Sequence, residues 1–216
     1  MKLLLIWLLP LLSRFPAAGP PAMRVTFSPL TRAAYLAAGK ACVSTKPQVA
    51  FPLRKQEGRI TIPTAKGPKV FADITIEATI KRGISEAELI IHQYLGYLPE
   101  FKCHLVKVEY DETSEYVLID NSGTQIALAG EPIFAPDTQH IAAICQGIEY
   151  GGGHPNSLQV LEMSNGRLRQ VWRLEPKTGE PYRICWTSAT SLLLSRTMWT
   201  GKSPGTTFTY AKLEIQ

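Results

Sequence analysis

The amino-acid sequence predicts a mainly β protein made of antiparallel hairpin repeats, with one short helix near the N-terminus. Three observations support this prediction. Short runs rich in Val, Ile, Leu and Thr follow one another from residue 59 to the end of the chain. Asn and Gly residues, which tolerate positive φ, stand between several of these runs, as hairpin turns require. Similar units also recur along the chain, which indicates a repeat architecture.

The clearest unit is Glu131–Ile144, EPIFAPDTQHIAAI. Its apolar triplet, polar turn and second apolar run predict two strands joined by a tight turn. A shift of fifty-one positions places Ile133–Ala135 on Ile184–Trp186, and Ile141–Ala143 on Leu192–Leu194. The unit is therefore predicted to occur at least twice.

Two further matches extend the repeat. A weaker copy begins at Tyr97–Glu100, which has the same aromatic, apolar, Pro, acidic order as Phe134–Asp137. The turn sequences Asp120–Gly123 and Ser164–Gly166 follow similar apolar runs at a common offset of forty-three residues. Each unit is thus predicted to contain strands A, B, C and D, with a longer loop between B and C. The last unit ends with its strand C at 207–216.

Residues 1–22 have the layout of a secretory signal peptide, which would be removed on export. Lys2 supplies a positive charge, Leu3–Leu12 is an unbroken apolar run, and small residues such as Ala17 and Ala18 follow. The run is well short of the ~20 residues that span a bilayer. We therefore expect a periplasmic or extracellular protein without a transmembrane span.

Residues 23–58 are predicted to form a short helix followed by a linker arm. Ser28 is a candidate N-cap, Pro29 suits the first helical position, and Gly39 is a stop signal. The segment 41–58 has no clear period, so the sequence predicts a linker or a loosely attached arm.

The β-repeat domain is predicted to span 59–216 and to begin with a hairpin. Arg59–Pro63 and Val70–Ile80 are rich in residues typical of strands, and the turn-forming sequence AKGPK lies between them.

The sequence FAPDTQHIAAI within the clearest unit resembles the F-S-P-D-G-x-x-I-A signature of WD-like β-propeller repeats, from which it departs at Ala135 and Thr138. The resemblance implies that each unit is a propeller-like blade. Closed propellers have at least four blades, whereas only two to three units fit between 89 and 216. We therefore expect an open stack of blades rather than a closed ring, shielded at its ends by the N-terminal hairpin and helix.

The charge and the cysteine content bear on which classes of partner and which compartment the sequence allows. The formal net charge of +5 falls to +3 without Lys2 and Arg14, and the remaining charges are not clustered, so a nucleic-acid surface is not expected.

The even number of cysteines permits disulfides in an exported chain without requiring them. Three of them lie in predicted strands, where small buried side chains are the simpler interpretation. The four are Cys42, Cys103, Cys145 and Cys185.

The candidate binding residues come from the ends of the predicted B strands, where an aromatic residue stands in each copy. These are Tyr110, Tyr150 and Trp199. The longer B to C loops must lie at one end of the sheets, so the three rings are predicted to line one edge. They either plug the ends of their sheets or form a binding rim, to which His154 in a Gly-rich loop would contribute.

The sequence predicts neither a catalytic residue nor a cofactor or metal site. His154 has no second ligand at a metal-binding spacing, and Asp137 is more simply a turn-stabilising residue than a partner of His140. The leading hypothesis is a non-catalytic, exported protein that binds an unknown protein or glycan. The alternative is an extracytoplasmic hydrolase with His154 or His140 as its base, since catalytic geometry does not depend on sequence spacing.

Overall fold

A computed structural model describes residues 23–83, 89–110, 113–147, 155–202 and 205–216. The predicted signal peptide at 1–22 lies outside the described residues. The prediction of a mainly β fold is confirmed, because nearly all of the regular structure lies in four antiparallel sheets. The described strands and helices, in chain order, are β1 Val25–Leu30, α1 Arg32–Ala38, β2 Arg59–Ile62, β3 Lys69–Ala72, α2 Ile76–Arg82, β4 Ile91–Leu98, β5 Cys103–Glu109, β6 Ser114–Asp120, β7 Gln125–Leu128, β8 Ile133–Phe134, β9 His140–Cys145, β10 Ser157–Ser164, β11 Arg167–Leu174, β12 Glu180–Ser188, β13 Ser191–Trp199 and β14 Thr206–Ile215.

Three of the sheets have four strands each and follow the predicted A, B, C, D order. We call β4–β7 the first sheet, β8–β11 the second sheet, and β12–β14 together with β1 the third sheet. The fourth sheet is the hairpin of β2 and β3. The turns at Asn121–Gly123 and Asn165–Gly166 both join strand C to strand D, as their Asn and Gly residues predict.

The fourth strand of the third sheet is the N-terminal strand β1, which pairs with β14 over Val25–Leu30. Ser28 and Pro29 therefore belong to a strand, and the prediction that they begin the helix is wrong. Proline is accommodated because β1 is an edge strand, where a missing backbone N–H does not break the sheet. The helix begins at Arg32, and Thr31 is its N-cap, accepting a hydrogen bond from Ala34 N at 3.1 Å.

The sheets stack in chain order around separate apolar cores. The first and second sheets share one core, which includes Phe101 and Ile141, and the second and third share another, which includes Ala142 and Trp186. The hairpin packs Ile60 on the free face of the first sheet. Helix α1 contacts β14 of the third sheet. The stack is thus open, and the hairpin and the helix lie at its two ends as the repeat pattern predicts.

The arm between α1 and the hairpin is firmly attached, so the prediction of a loose arm is wrong. It runs across the first strand of all three sheets, and the Cys42–Cys185 disulfide joins it to β12. Backbone bridges then join it successively to the third, second and first sheets. The bridged pairs are Val43 with Trp186, Thr45 with Phe134, and Ala50 with Tyr97. Main-chain pairing leaves no periodic side-chain pattern, so this attachment has no signal in the sequence.

The hairpin is present, but its second strand is shorter than the predicted Val70–Ile80. Strand β3 ends at Ala72, and Ile76–Arg82 is helical instead. The Thr75 hydroxyl caps this helix by accepting a hydrogen bond from Ala78 N at 3.4 Å, and Gly83 ends it in the left-handed conformation. These capping interactions outweigh the β-branched composition of the segment.

The offset of fifty-one residues between the second and third sheets holds for strand B and fails for strand A. Ile141 and Leu192 both face the preceding sheet, as the offset requires. Phe134 also faces the preceding sheet. Its predicted counterpart Cys185 does not, and the residue of the third sheet that faces the preceding sheet is Trp186 instead. Trp186 and its partner Leu192 are six positions apart, whereas Phe134 and its partner Ile141 are seven apart, so strand A is shifted by one residue.

None of the helices in the described part of the chain is long and apolar enough to cross a bilayer.

Candidate functional site

Two of the three aromatic residues predicted to line one edge, Tyr110 and Trp199, lie within the described residues. Trp199 shares a small cavity with Asn156, so the B to C loops of the second and third sheets lie at the same end of the stack. At the opposite end, the turn residue Gly166 lies beside Lys102, which belongs to the A to B turn of the first sheet. Tyr110, at the end of strand B in the first sheet, is therefore at the same end as Trp199. Tyr150 and His154 lie outside the described residues.

Tyr110 and Trp199 differ in their surroundings. Tyr110 packs against the core between the hairpin and the first sheet and donates its hydroxyl to Glu115 Oε2 at 3.2 Å. Burial, together with the Glu115 carboxylate, raises the pKa of the Tyr110 phenol. Trp199 is 65% exposed, and its ring covers Gly205. Tyr110 thus closes the end of a core, while Trp199 offers an aromatic face to solvent. The two rings line different cavities.

The side chains of Asp137 and His140, which flank a tight turn, contact each other. His140 Nδ1 lies 2.7 Å from Asp137 Oδ2, and Asp137 Oδ1 accepts the backbone N–H groups of Gln139 and His140. His140 is 8% exposed, and its Nε2 lies 4.0 Å from Glu162 Oε1. The Asp137 carboxylate therefore both stabilises the turn backbone and orients the His140 imidazole.

A second polar cluster joins the arm, the hairpin and the first sheet. Asp73 forms an ion pair with Lys55 and accepts the backbone N–H of His92 at 2.8 Å. Burial raises the pKa of the Asp73 carboxyl, but its bonds to Lys55 and His92 outweigh burial, so the pKa lies below its ordinary value. Burial lowers the pKa of His92, and also that of His104, whose Nδ1 lies 2.9 Å from the Tyr94 hydroxyl.

The free cysteines are unsuited to thiol chemistry. Cys103 is buried, and its Sγ lies 3.0 Å from the Phe101 carbonyl oxygen. Burial raises the pKa of Cys103 to about 12, and it also raises the pKa of Cys145. A thiol that remains protonated is a poor nucleophile and a poor metal ligand. No group of three or more His, Cys, Asp and Glu side chains within the described ranges is arranged to hold a metal ion.

A large concave surface lies on the outer face of the third sheet, beside helix α1. We call it the aromatic groove; its volume is about 920 Å³, within the range typical of ligand sites. It is lined by Pro29, Leu30, Arg32, Tyr35, Leu36, Tyr182, Arg183, Ser195, Thr206, Thr207, Phe208, Thr209 and Tyr210.

The floor of the groove is a row of side chains that crosses all four strands of the third sheet. Arg183 is paired with Ser195, Ser195 with Tyr210, and Tyr210 with Leu30. Paired residues of neighbouring strands project on the same face of a sheet. This face points away from the second sheet, because the intervening residues Ile184 and Leu194 belong to the core between the two sheets.

A β-bulge in β12 shapes one side of the groove. The register between β12 and β13 shifts between Pro181 and Arg183, so that Tyr182 and Arg183 are successive exposed residues in a strand that otherwise alternates. Two residues then oppose one on the neighbouring strand, and both side chains reach the groove. Bulges often redirect side chains in this way beside functional sites.

Two aromatic pairs flank the groove. Tyr35 of α1 packs on Tyr210 with ring centroids 4.6 Å apart, and Tyr182 meets Phe208 nearly edge to face at 5.5 Å. Tyr182 and Phe208 are 53% and 43% exposed, and Leu36 is 57% exposed. Three large, exposed side chains therefore lie around one concavity.

The charge of the groove has one sign. Arg32 lies on the helix side and Arg183 on the β12 side, and none of the lining residues is Asp or Glu. Neither guanidinium has an ion-pair partner in the described part of the chain. Ser195 is 4% exposed between them, so a hydroxyl group lies at the floor.

Sequence reasoning missed this groove because its residues come from four strands and a helix that are far apart in the chain. The signal that was present is local: Thr206–Tyr210 reads TTFTY, an aromatic and hydroxyl-rich strand end that does not alternate cleanly. The groove also adjoins the Trp199 cavity, because Thr206 lines both.

Comparison of the chain with protein-family models, curated proteins and solved structures finds no match.

Proposed function

We propose that the protein is a non-catalytic, exported binding protein and that the aromatic groove holds a glycan. The observation that carries this proposal is the groove itself, where exposed rings of Tyr182 and Phe208 stand beside serine and threonine hydroxyls on a rigid sheet. Aromatic faces pack against the apolar faces of sugar rings, and hydroxyl groups exchange hydrogen bonds with sugar hydroxyls. A site built on strands also keeps its geometry when the ligand leaves.

The shape of the groove favours a glycan over a protein partner. A standard protein interface takes about 20 to 30 residues from each side. The groove has thirteen lining residues, fewer than one side of such an interface. Its floor crosses four strands, a span of about 14 Å at the usual strand spacing. An extended chain of a few sugar rings suits a trough of that length.

Two observations support export. The Leu3–Leu12 run with Lys2 before it is typical of a leader that directs secretion. The Cys42–Cys185 disulfide joins segments from opposite ends of the chain, and disulfides persist mainly in oxidising compartments. A C-terminally tagged chain in its own cells is expected to appear outside the cytoplasm in a shortened form. A full-length protein confined to the cytosol would contradict export.

The relation to WD-like β-propeller repeats is part of the same proposal. It is supported by the recurring four-stranded order of the three sheets and by the N-terminal strand, which completes the last of them. Repeat proteins of this kind commonly bind partners through surfaces that several repeats create together.

A glycan array tests the binding function. The mature protein is expected to retain at least one class of oligosaccharide, and a Tyr182→Ala, Phe208→Ala double variant is expected to lose that retention because its aromatic surface is gone. Val70→Ala is the matched control, since Val70 is also an exposed apolar residue but lies on the hairpin, outside the groove. Absence of retention on the whole array, or equal retention by the double variant, would overturn the proposal.

Hydrolysis is the second candidate function, because His140 is paired with Asp137 as a base would be. His154 is the other candidate base. If either acts in hydrolysis, arrayed oligosaccharides or ester substrates are expected to be cleaved by the wild-type protein and not by the His140→Gln or His154→Gln variant. Mass spectrometry of the incubated ligand separates the two functions, because a binding protein returns its ligand intact.

A further inference from the structure

We propose that the ligand of the aromatic groove is an acidic oligosaccharide, whose carboxylate or sulfate groups bind Arg32 and Arg183. This inference rests on the proposed glycan-binding function and adds the chemical class of the ligand. Its basis is the placement of the two arginines rather than the mild positive charge of the whole chain.

Arg32 and Arg183 approach the groove from opposite sides. Arg32 is the first residue of α1, which lies beside β1 and β14, whereas Arg183 belongs to β12 at the other edge of the sheet. A guanidinium group offers five donors in a planar fork that matches a carboxylate or sulfate oxygen pair. Two such groups at separate points suit a ligand that carries repeated anionic groups along its length.

The lack of an ion-pair partner for either guanidinium group within the described chain supports an anionic ligand. Neither contacts a carboxylate of the described chain, and none of the groove residues is acidic. Some surface cations of the protein are neutralised by carboxylates, such as Lys107 by Glu109 and Lys212 by Glu214. An acidic ligand therefore finds two unneutralised donors and meets no like charge from the groove.

The residues between the arginines suit the uncharged part of a sugar chain. Ser195 lies at the floor, and Thr206, Phe208 and Tyr210 project from the same face of β14. The Tyr182 and Phe208 rings stand at the β12 side next to Arg183. A sugar ring that stacks on these aromatics would place an acidic substituent beside the Arg183 guanidinium.

Isothermal titration calorimetry with matched ligands tests the inference. The probes are trigalacturonic acid, its fully methyl-esterified form, which has the same sugar backbone without charge, and a sulfated disaccharide. We expect the wild-type protein to bind at least one acidic probe at least tenfold more tightly than the ester. The two acidic probes distinguish a carboxylate ligand from a sulfated one.

Variants locate the charge effect in the groove. Arg32→Gln with Arg183→Gln is expected to weaken binding of the acidic probe at least tenfold, to leave binding of the ester unchanged, and to reduce the salt dependence of affinity. Arg167→Gln, an exposed arginine on β11 outside the groove, is the control and is expected to bind as the wild type does. Circular dichroism checks that each variant is folded.

The outcomes separate this inference from the proposed function. Equal affinity for the acidic and the esterified probe, with loss of both in the Tyr182→Ala, Phe208→Ala variant, would overturn acidic recognition and leave glycan binding standing. Wild-type affinity in the double arginine variant would also overturn it. Absence of binding by every probe here and every glycan on the array would overturn both.

Discussion

Val49 of the arm lies directly over Gly96 of β4, so that Val49 Cγ1 fills the space where a β-carbon of residue 96 would stand. Gly96 also has a φ of 119°, and the next residue, Tyr97, exchanges two backbone hydrogen bonds with Ala50 at 2.7 and 2.9 Å. The absence of a side chain at Gly96 therefore allows the arm to approach the first sheet closely enough to pair with it.

Gly96→Ala is the direct test of that approach. The added methyl group collides with Val49 and with the Ala50 carbonyl, so we expect a loss of about 1 to 3 kcal/mol in the free energy of unfolding. Urea unfolding measures it. Gly39→Ala is the control, because Gly39 has a φ of −60° and open space around its α-carbon. Equal stability of the two variants would show that the arm is not held at Gly96.

The turn glycines give a second prediction. Gly123 and Gly166 have φ values of 83° and 71°, so Gly123→Val and Gly166→Val are each expected to destabilise the protein by about 1 kcal/mol or more. Gly123→Val is expected to be worse, since its β-carbon would lie 2.8 Å from Thr64 Oγ1, whereas the nearest atom to that of Gly166 is 3.5 Å away. Unchanged melting temperatures in calorimetry would contradict the prediction.

The disulfide between Cys42 and Cys185 gives a third prediction. Cys42 and Cys185 are separated by 143 residues, so their link restricts the unfolded chain strongly, and we expect Cys42→Ser with Cys185→Ser to lose about 2 to 5 kcal/mol. Reductant is expected to lower the stability of the wild type and not of this variant. Cys145→Ser, which removes a free thiol, is the control. A wild type indifferent to reductant would contradict a disulfide contribution.

Stability is expected to fall as the pH is lowered from 7.5 to 5. Burial holds the pKa of His92 and of His104 below the ordinary value of 6.5. The unfolded chain therefore takes up protons near pH 6.5 that the folded protein takes up only at lower pH, and this uptake favours unfolding. The depressed pKa of Asp73 adds a further loss below about pH 4.

The measurement for that prediction is the urea midpoint at several pH values. His104→Gln retains a hydrogen-bond acceptor for the Tyr94 hydroxyl but does not titrate, so the slope between pH 7.5 and 5 is expected to be shallower in this variant. Constant or rising stability on acidification would show that these histidines are not protected from protonation by folding.

Trp199→Ala tests whether the ligand path extends from the groove to the rim. The exposed ring rests on Gly205, so we expect a stability loss of no more than about 1 kcal/mol. Because Thr206 lines both cavities, a hexasaccharide is expected to lose affinity while a trisaccharide does not. Titration of both lengths measures this. Unfolding of the variant, or equal hexasaccharide affinity, would remove Trp199 from the binding surface.

The features that the sequence predicts are those with local causes. Asn165 and Gly166 specify a hairpin turn by their own backbone preferences, and the unbroken apolar run Leu192–Leu194 between polar residues is typical of a buried strand. Pairing between distant segments has no such signature. Nothing in Val25–Leu30 indicates that its partner is β14, and the bulge that turns Tyr182 toward the groove is visible only as a shift in register.

The pairing of β1 with β14 also has a consequence for the order of events during synthesis. Strand β1 is among the first segments of the described chain to leave the ribosome, and β14 is the last. The third sheet and the aromatic groove on its outer face therefore cannot form until β14 has been synthesised. Non-local pairing of this kind also folds slowly, so a newly made chain spends a period without its final sheet. That delay suits the proposed export, because a chain that is still unfolded can be moved before its two ends meet.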